Sequence, residues 1–182
     1  NDDSFLKADF ANSHTEYGQK SERNNVTKAL SILSWNVNGL LTKIADKEFV
    51  SYVSHFDFVC LTETFLESFE LEVFDSYKVF CKSATKFTNQ GRRSGGLVCL
   101  IRNEFAVFVR CLDVANPNML VFICDKCLFG TNKDILFVCV YIPPEGSPFY
   151  NFFDLDNGIA MLEECLVDCV LSLDDVYIIL CG

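Results

Sequence analysis

A strand–helix–strand pattern at the start of the hydrophobic part of the chain constrains the fold more than any other feature. Residues 29–35 form a β-type run, and apolar residues at helical spacing then predict a helix over about 41–55. The continuously apolar run Phe58 to Leu61 follows, as expected for a strand buried on both faces. A crossover of this length joins parallel neighbouring strands, so both strands end on one edge of the sheet. The pattern predicts that three polar residues share this edge: Asn36, Asn38 and Glu63.

The C-terminal part of the chain shows the same pattern a second time. A strand-like run over 135–141 precedes a Pro-rich turn, an apolar stripe predicts a helix over about 156–173, and a last strand-like run covers 176–181. Between the two patterns, turn-rich segments separate further runs in the arrangement typical of antiparallel hairpins. These runs cover 77–82, 96–102, 105–112 and 119–124. Two strand-rich halves with flanking helices predict a layered α/β sandwich.

The first 28 residues differ from the rest of the chain. They are polar and unpatterned, so we interpret 1–28 as a tail or linker and 29–182 as the domain. They lack the basic head and apolar segment of a signal peptide, so we do not expect secretion. No apolar run approaches the ~20 residues that a membrane span needs, so we expect no membrane partner. Because the first residue is Asn rather than Met, we expect the chain to be cut from a longer one.

The charge balance limits the partners of the protein. With 15 basic against 25 acidic residues, the formal net charge is -10, which repels phosphate backbones and excludes a general polyanion binder. The stretch 78–103 is an exception, because its charged residues are all basic: Lys78, Lys82, Lys86, Arg92, Arg93 and Arg102. Within it, the segment 92–96 is suited to contact a nucleic-acid backbone, since Arg contacts to phosphate need no sequence readout. A solvated hairpin loop explains this segment equally well.

The chain contains 10 cysteines. Most lie inside apolar strand-like runs, where free Cys behaves as a small hydrophobe, so we expect reduced thiols and an intracellular protein. Cys124 and Cys127 have a metal-like spacing but no second pair or flanking His, and a zinc site needs four ligands. We interpret that spacing as accidental.

Glu63 is the most informative single residue. A carboxylate directly after a buried strand is costly unless a cation or a hydrogen-bond network compensates it, which indicates a functional role. Taken alone, Glu63 is explained better as an exposed loop residue. Asn36 and Asn38 have amides suited to orient a phosphate oxygen or a metal-bound water, with a simple Asn-Gly turn as the alternative. Trp35 is predicted to be a core aromatic residue.

Two kinds of chemistry are disfavoured by the sequence. The two histidines, His14 in the tail and His55 at a helix end, are poorly placed for a Ser-His-Asp arrangement with the residues above. The Gly-rich motifs of P-loops and dinucleotide sites are absent, so nucleotide cofactors are not indicated.

Four segments together resemble the endonuclease/exonuclease/phosphatase superfamily in their order and spacing. They are Ser34 to Leu40 (SWNVNGL), Cys60 to Thr64 (CLTET), Arg92 to Leu97 (RRSGGL) and Val140 to Ser147 (VYIPPEGS). The sequence is most similar to the apurinic-type endonuclease domain of LINE-type (non-LTR) retrotransposons, from about residue 29 to residue 182. This resemblance implies a four-layer α/β sandwich, two packed β-sheets flanked by helices, that is truncated at its C-terminal side.

The resemblance also implies roles for individual residues. Glu63 would bind the catalytic Mg²⁺ or Mn²⁺, Asn36 and Asn38 would lie beside the metal and the phosphate, and Tyr141 would hydrogen-bond the scissile phosphate. Members of the superfamily continue after the last strand with an Asp-x-Asn segment that activates water and later with a Ser-Asp-His segment. This sequence stops at Gly182, before both. We therefore expect the fragment alone to be inactive.

The function expected from the resemblance is metal-dependent phosphodiester hydrolysis by the DNA endonuclease of a retrotransposon-type element. The expected partners are DNA and a reverse transcriptase domain further along the same polypeptide, in the nucleus or the cytoplasm. Two alternatives remain: a phosphatase for small phosphorylated molecules, which the basic segment 92–96 disfavours, and a non-catalytic remnant of a decayed element.

Overall fold

The computed structural model describes these residues: 29–67, 71–87, 93–171, 173 and 175–182. The predicted tail over 1–28 and Arg92 of the predicted DNA contact lie outside the described residues. Within the described ranges, no helix is long and apolar enough to cross a membrane.

Two four-stranded sheets form the centre of the described structure. Their strands are β1 (Ile32–Asn36), β2 (Phe58–Thr62), β3 (Tyr77–Lys82), β4 (Leu97–Arg102), β5 (Val109–Leu112), β6 (Met119–Cys124), β7 (Ile135–Val140) and β8 (Tyr177–Cys181). The first sheet has the order β1-β2-β4-β3, with β1 parallel to β2 and the other pairs antiparallel. The second has the order β5-β6-β7-β8, with β7 parallel to β8. The predicted parallel pairs and antiparallel hairpins are confirmed.

Helices cover the outer faces of both sheets. On the first sheet Phe49 packs against Val59, and on the second Phe149 and Met161 pack in a cluster with Val138. The layers therefore run helix, sheet, sheet, helix, which confirms the predicted α/β sandwich. The helices are α1 (Leu40–Ile44), α2 (Lys47–Val53), a 3₁₀ helix (Glu72–Phe74), α3 (Asn103–Ala106), α4 (Lys126–Phe129), α5 (Pro148–Phe153) and α6 (Gly158–Leu171).

Aromatic rings and thiols fill the space between the two sheets. Phe58 and Phe137 are fully buried with ring centroids 5.3 Å apart. Four cysteines, one from each of four strands, form a thiol layer in this space: Cys60, Cys99, Cys139 and Cys181. Interaction with the Cys139 thiol, and then burial, raises the pKa of Cys60, while Cys181 and Cys99 act in the opposite direction. Burial raises the pKa of Cys99 well above its usual value, so this thiol stays neutral and packs as an apolar group.

The helix predicted over 41–55 is two helices. Asp46 has an extended backbone, and its carboxylate accepts a hydrogen bond from Glu48 N at 2.9 Å, which makes it the N-cap of α2. Helical spacing alone does not reveal this break, because apolar side chains continue in phase on both sides of Asp46.

Two other predicted elements differ from the structure. The strand predicted over 105–112 begins only at Val109, because Asn103–Ala106 form a helical turn that carries Phe105 and Ala106 into the core between the sheets. The helix α5 was not predicted. Ser147 caps it by accepting a hydrogen bond from Phe149 N at 3.3 Å, and Pro148 occupies its first turn.

Trp35 is not a core residue. It is 38% exposed and packs against Phe49 and Tyr52, with ring centroids 5.3 and 6.1 Å away. The prediction was wrong because β1 is the edge strand of its sheet within the described residues. β8 is the corresponding edge strand of the second sheet, and the Ser34 hydroxyl donates to the Gly182 carbonyl at 3.1 Å across the two sheets.

Candidate active site

Three loops meet at the edge of the sandwich where β1 and β2 end and β4 begins. Gly39 N donates to the Glu63 carbonyl at 2.8 Å, and Leu40 N donates to the Thr64 carbonyl at 3.0 Å. Thr64 N donates to the Gly96 carbonyl at 3.2 Å. These main-chain bonds fix the three loops relative to one another, so their side chains are presented on a rigid frame.

The backbone at this edge is strained. Asn38, Glu63 and Phe65 have φ angles of 46°, 53° and 56°, in the left-handed region. For Glu63 and Phe65 this conformation costs about 1–3 kcal/mol each, whereas Asn tolerates it, and such strained residues concentrate at functional sites. Gly96 has φ 85°, and a Cβ there would lie 2.6 Å from the Thr64 hydroxyl oxygen. Close packing of the loop thus requires glycine at this position.

Glu63 and Tyr141 meet across the two sheets. Glu63 directly follows the buried strand β2 and is half-buried, while Tyr141 directly follows β7. The Tyr141 hydroxyl hydrogen-bonds to the Glu63 carboxylate. Burial and then this bond raise the pKa of Tyr141 to about 12, and a hydrogen bond with Ser94 acts in the opposite direction. The phenol is therefore protonated at neutral pH and can donate a hydrogen bond. The Glu63 carboxylate accepts this bond, which is part of the hydrogen-bond network that a carboxylate directly after a buried strand needs.

Asn36 and Asn38 lie at the same edge, as predicted. Asn36 pairs with Thr62 in the strand register and occupies the same face of β1 as Ser34, the face turned toward the second sheet. Its side-chain oxygen accepts a hydrogen bond from Asn38 N at 3.1 Å. Both asparagine side chains are exposed. The Asn36 oxygen is thus held by its own loop, in the manner of an Asx turn.

Arg93 lies beside the Glu63–Tyr141 pair and carries its own counter-ion. Its Nε is 2.5 Å from a carboxylate oxygen of Glu67, and its guanidinium donates to the Ala84 carbonyl at 3.5 Å. The hydrogen bond with Arg93 lowers the pKa of Glu67. Main-chain bonds between Thr85 and Ser94 hold the segment in place. Sequence reasoning did not identify Glu67, because residues 26 positions apart become neighbours only through the tertiary fold.

An open cleft of about 380 Å³ runs between the loops after β2 and β7. Its walls combine the Glu63–Tyr141 pair with residues that sequence reasoning missed, chiefly Phe65 and the turn 144–148. The only available signal for Phe65 was its place directly after Thr62-Glu63-Thr64. Asn36 and Asn38 are not among the residues that line the cleft, which are Glu63, Phe65, Arg93, Ser94, Tyr141, Pro144, Glu145, Gly146, Ser147 and Pro148.

The residues at this edge are compatible with part of the coordination shell of a magnesium-type cation. Among the described residues, no cluster of three or more His, Cys, Asp or Glu side chains is close enough to enclose a metal ion. Mg²⁺, however, is usually held by one or two carboxylates plus phosphate oxygens and water, so a site with a single carboxylate, such as that of Glu63, is compatible with this cation. The Thr64 hydroxyl is buried without a hydrogen-bond partner. Such a group costs about 1–3 kcal/mol unless a water or ion supplies the missing bond.

Two mixed sheets flanked by helices, with polar residues gathered where parallel strands end, form an α/β sandwich. Solved structures with this fold are similar to the chain. An AP endonuclease, LMAP, from Leishmania major has a TM-score of 0.53 and 16% sequence identity over 80% of this chain and 49% of that chain. An AP endonuclease from Archaeoglobus fulgidus has a TM-score of 0.50 and 14% identity over 84% of this chain and 55% of that chain.

The structural likeness establishes the fold. The chain spans about half the length of these two matched proteins. No protein-family model and no curated protein sequence matches the chain. The resemblance to LINE-type endonucleases therefore stays a prediction.

Proposed function

We propose that the chain is part of a metal-dependent phosphodiesterase that cuts DNA. The observation that carries this proposal is the Glu63–Tyr141 hydrogen bond, which places a carboxylate and a protonated phenol together in one open cleft. Arg93 lines the same cleft, with Glu67 as its ion-pair partner and with the carboxylates of Glu63 and Glu145 in the walls. A cation at Glu63 would offset these carboxylates, and together with Arg93 it would suit the open cleft to an extended polyanion.

The residues divide the chemistry between them. Glu63, with Asn38 beside it, would hold Mg²⁺ or Mn²⁺, and that cation would supply Lewis-acid polarisation of the phosphate and activation of water. Tyr141 has a single hydroxyl proton, which bonds to Glu63 in the free site. With Glu63 holding a cation, that proton would bond instead to a non-bridging phosphate oxygen, and the raised pKa of Tyr141 keeps the phenol protonated for this role. Asn36 orients the phosphate through its amide. Arg93 offsets the charge of a neighbouring phosphate.

The likeness to the two AP endonucleases supports nuclease activity, and the sequence resemblance supports a retrotransposon-type element as its source. In this proposal, DNA is the substrate and a reverse transcriptase domain follows in the same polypeptide. Because the chain spans about half of the matched structures, the activity belongs to the longer polypeptide. In this proposal the 182-residue chain alone is inactive, because it spans only about half of the matched structures.

The test is Glu63→Gln in the polypeptide extended with its natural downstream sequence. Nicking of supercoiled DNA in Mg²⁺ should be abolished while the fold is kept, because the amide cannot anchor the cation. Glu104→Gln is the matched control. It makes the same charge change in α3, which follows β4 and so lies at the end of the sandwich opposite the cleft. Retained nicking by the Glu63 variant would contradict the proposal.

Two comparisons separate this proposal from its alternatives. A panel of DNA and small phosphorylated substrates distinguishes an endonuclease from a phosphatase, because only the endonuclease prefers DNA. The extended polypeptide should nick DNA with Mg²⁺ where the 182-residue chain does not. If neither hydrolyses any substrate, the chain is a non-catalytic remnant.

A further inference from the structure

Phe65 adopts a conformation that its residue type disfavours. Its φ is 56°, and positive φ in a bulky residue is a genuine outlier. Three of the other four described non-glycine residues at positive φ are Asn or Asp, which tolerate this region well: Asn38, Asp154 and Asp175. Strain of this kind persists only where the surrounding structure enforces it, and it concentrates at ligand clamps and active sites.

The strained backbone fixes the Phe65 ring in the wall of the cleft. Phe65 N donates to the Gly95 carbonyl at 3.2 Å, which sets the direction of the side chain. One edge atom of the ring, Cδ2, lies 3.6 Å from where a Cβ on Gly39 would be, so the ring is in van der Waals reach of Gly39. Phe65 is only partly buried in this position. An aromatic ring is thus held two residues from Glu63 in the same cleft.

The remaining walls of the cleft determine which kind of ligand group can lie against the Phe65 ring. The turn 144–148 contributes Pro144 and Pro148, and around Gly146 nothing lies within 4 Å of a Cβ position, so that side is open. Arg93, which is paired with Glu67, and Ser94 supply a cation and a hydroxyl on the remaining side, and Glu63 and Glu145 add carboxylates to the walls. Flat apolar surface combined with phosphate-binding groups matches one nucleotide better than it matches a purely apolar protein segment.

We propose that Phe65 is the stacking platform for a nucleobase next to the phosphate held at Glu63 and Tyr141. The inference rests on the proposed function and names the part of the DNA that the cleft recognises. Stacking of a base on an aromatic ring contributes about 1–3 kcal/mol and tolerates any base, since every base has a π-face. Arg93 then binds the phosphate of the stacked nucleotide. The cleft thus positions the strand without reading its sequence.

The experiment uses the extended natural polypeptide and DNA oligonucleotides in which 2-aminopurine replaces successive bases around the cleavage position. EDTA prevents hydrolysis, so fluorescence reports stacking alone. One position should be quenched by the wild-type protein. Phe65→Ala should remove this quenching and weaken binding about 5- to 160-fold. Phe65→Tyr should retain both.

Two controls separate stacking from a change in packing. Phe65→Leu keeps an apolar side chain and should still lose the quenching. Phe108→Ala removes a 42%-exposed ring at the opposite end of the sandwich, where Asp125 N donates to the Phe108 carbonyl at 2.9 Å, and should change nothing. Quenching that survives in both Phe65→Ala and Phe65→Leu overturns the proposal.

An abasic site at the quenched position gives an independent test. If Phe65 stacks on that base, removing the base should weaken wild-type binding but should not weaken binding of Phe65→Ala further. Additive losses overturn the stacking proposal while leaving the endonuclease proposal intact. Nicking that survives Glu63→Gln has the opposite meaning, because it contradicts the endonuclease mechanism and leaves the stacking result standing. A wild-type protein that binds no oligonucleotide overturns both.

Discussion

The hydroxyl of Tyr141 hydrogen-bonds to the carboxylate of Glu63, and this bond joins the ends of two strands that belong to different sheets. Glu63 directly follows β2 and Tyr141 directly follows β7. Each strand is buried along its whole length, so neither end can move without disturbing the core. The contact therefore has a geometry fixed by both sheets, which is the condition for a preorganised site.

Titration of Tyr141 tests this contact directly. Its pKa is raised to about 12 from the ordinary 10.0, first by burial and then by Glu63, so the protonated phenol stabilises the fold. That contribution is complete below about pH 10 and is lost as the pH rises toward 12. Glu63→Gln should lower the pKa of Tyr141, because the carboxylate charge that opposes the phenolate is gone. ¹³C NMR of labelled tyrosine rings, with Tyr141→Phe for assignment, measures the shift. Identical titration in both proteins would show that the bond is absent.

Replacing Tyr141 by Phe should lower kcat for DNA nicking about 100-fold in the extended polypeptide. The ring is kept and only the donor to phosphate is lost, so KM and the thermal transition should change little. Steady-state kinetics with a supercoiled plasmid and a melting curve provide the comparison. Unchanged kcat would remove Tyr141 from the mechanism.

The Arg93–Glu67 ion pair predicts two opposite effects on DNA binding. Arg93→Ala should weaken binding similarly for all sequences and reduce the slope of log K against log salt by about 1. Glu67→Gln should strengthen binding, because it leaves Arg93 without its competing anion. Titrations at several salt concentrations measure both. Weaker binding by the Glu67 variant would mean that the carboxylate positions Arg93 rather than competing with DNA.

Gly96→Ala should destabilise the fold by about 1–3 kcal/mol. A Cβ at this position would lie 2.6 Å from the Thr64 hydroxyl oxygen and 3.3 Å from the Ala84 main-chain nitrogen, at φ 85°. Gly146→Ala is the matched control, since φ is 75° there but nothing lies within 4 Å. Urea denaturation of the two variants separates steric overlap from backbone strain. Equal losses would show that the loops shift to admit the extra methyl group.

Sequence reasoning located the polar residues at one edge because strand direction follows from connection length. The buried runs that became β2 and β7 are continuous and apolar, and each is followed by a residue of the candidate site, Glu63 or Tyr141. The crossover rule then placed the ends of β1 and β2 together before any contact was known. This reasoning needs only the spacing of the apolar residues in each segment and the length of the segment.

Properties that depend on neighbours from elsewhere in the chain were missed. The ion pair of Glu67 with Arg93 requires the bridge between Thr85 and Ser94, which no local pattern encodes. The exposure of Trp35 depends on the position of β1 in its sheet rather than on residue type. The helix break at Asp46 comes from a single cap that competes with an intact apolar period.

Because the thiol layer lies between the two sheets, its buried cysteines can be modified only when the sheets separate. How long the protein survives such modification therefore depends on how rarely the sheets separate. An electrophile in solvent reaches Cys60 and Cys99 only when the two sheets part, whereas Cys111 and Cys127 are exposed in the closed state. Once a buried sulfur carries an adduct, the interior has no room for it, and the sheets cannot close again. Under alkylating or oxidising conditions, each opening event thus becomes irreversible. The unfolding rate, rather than the equilibrium stability, then determines survival.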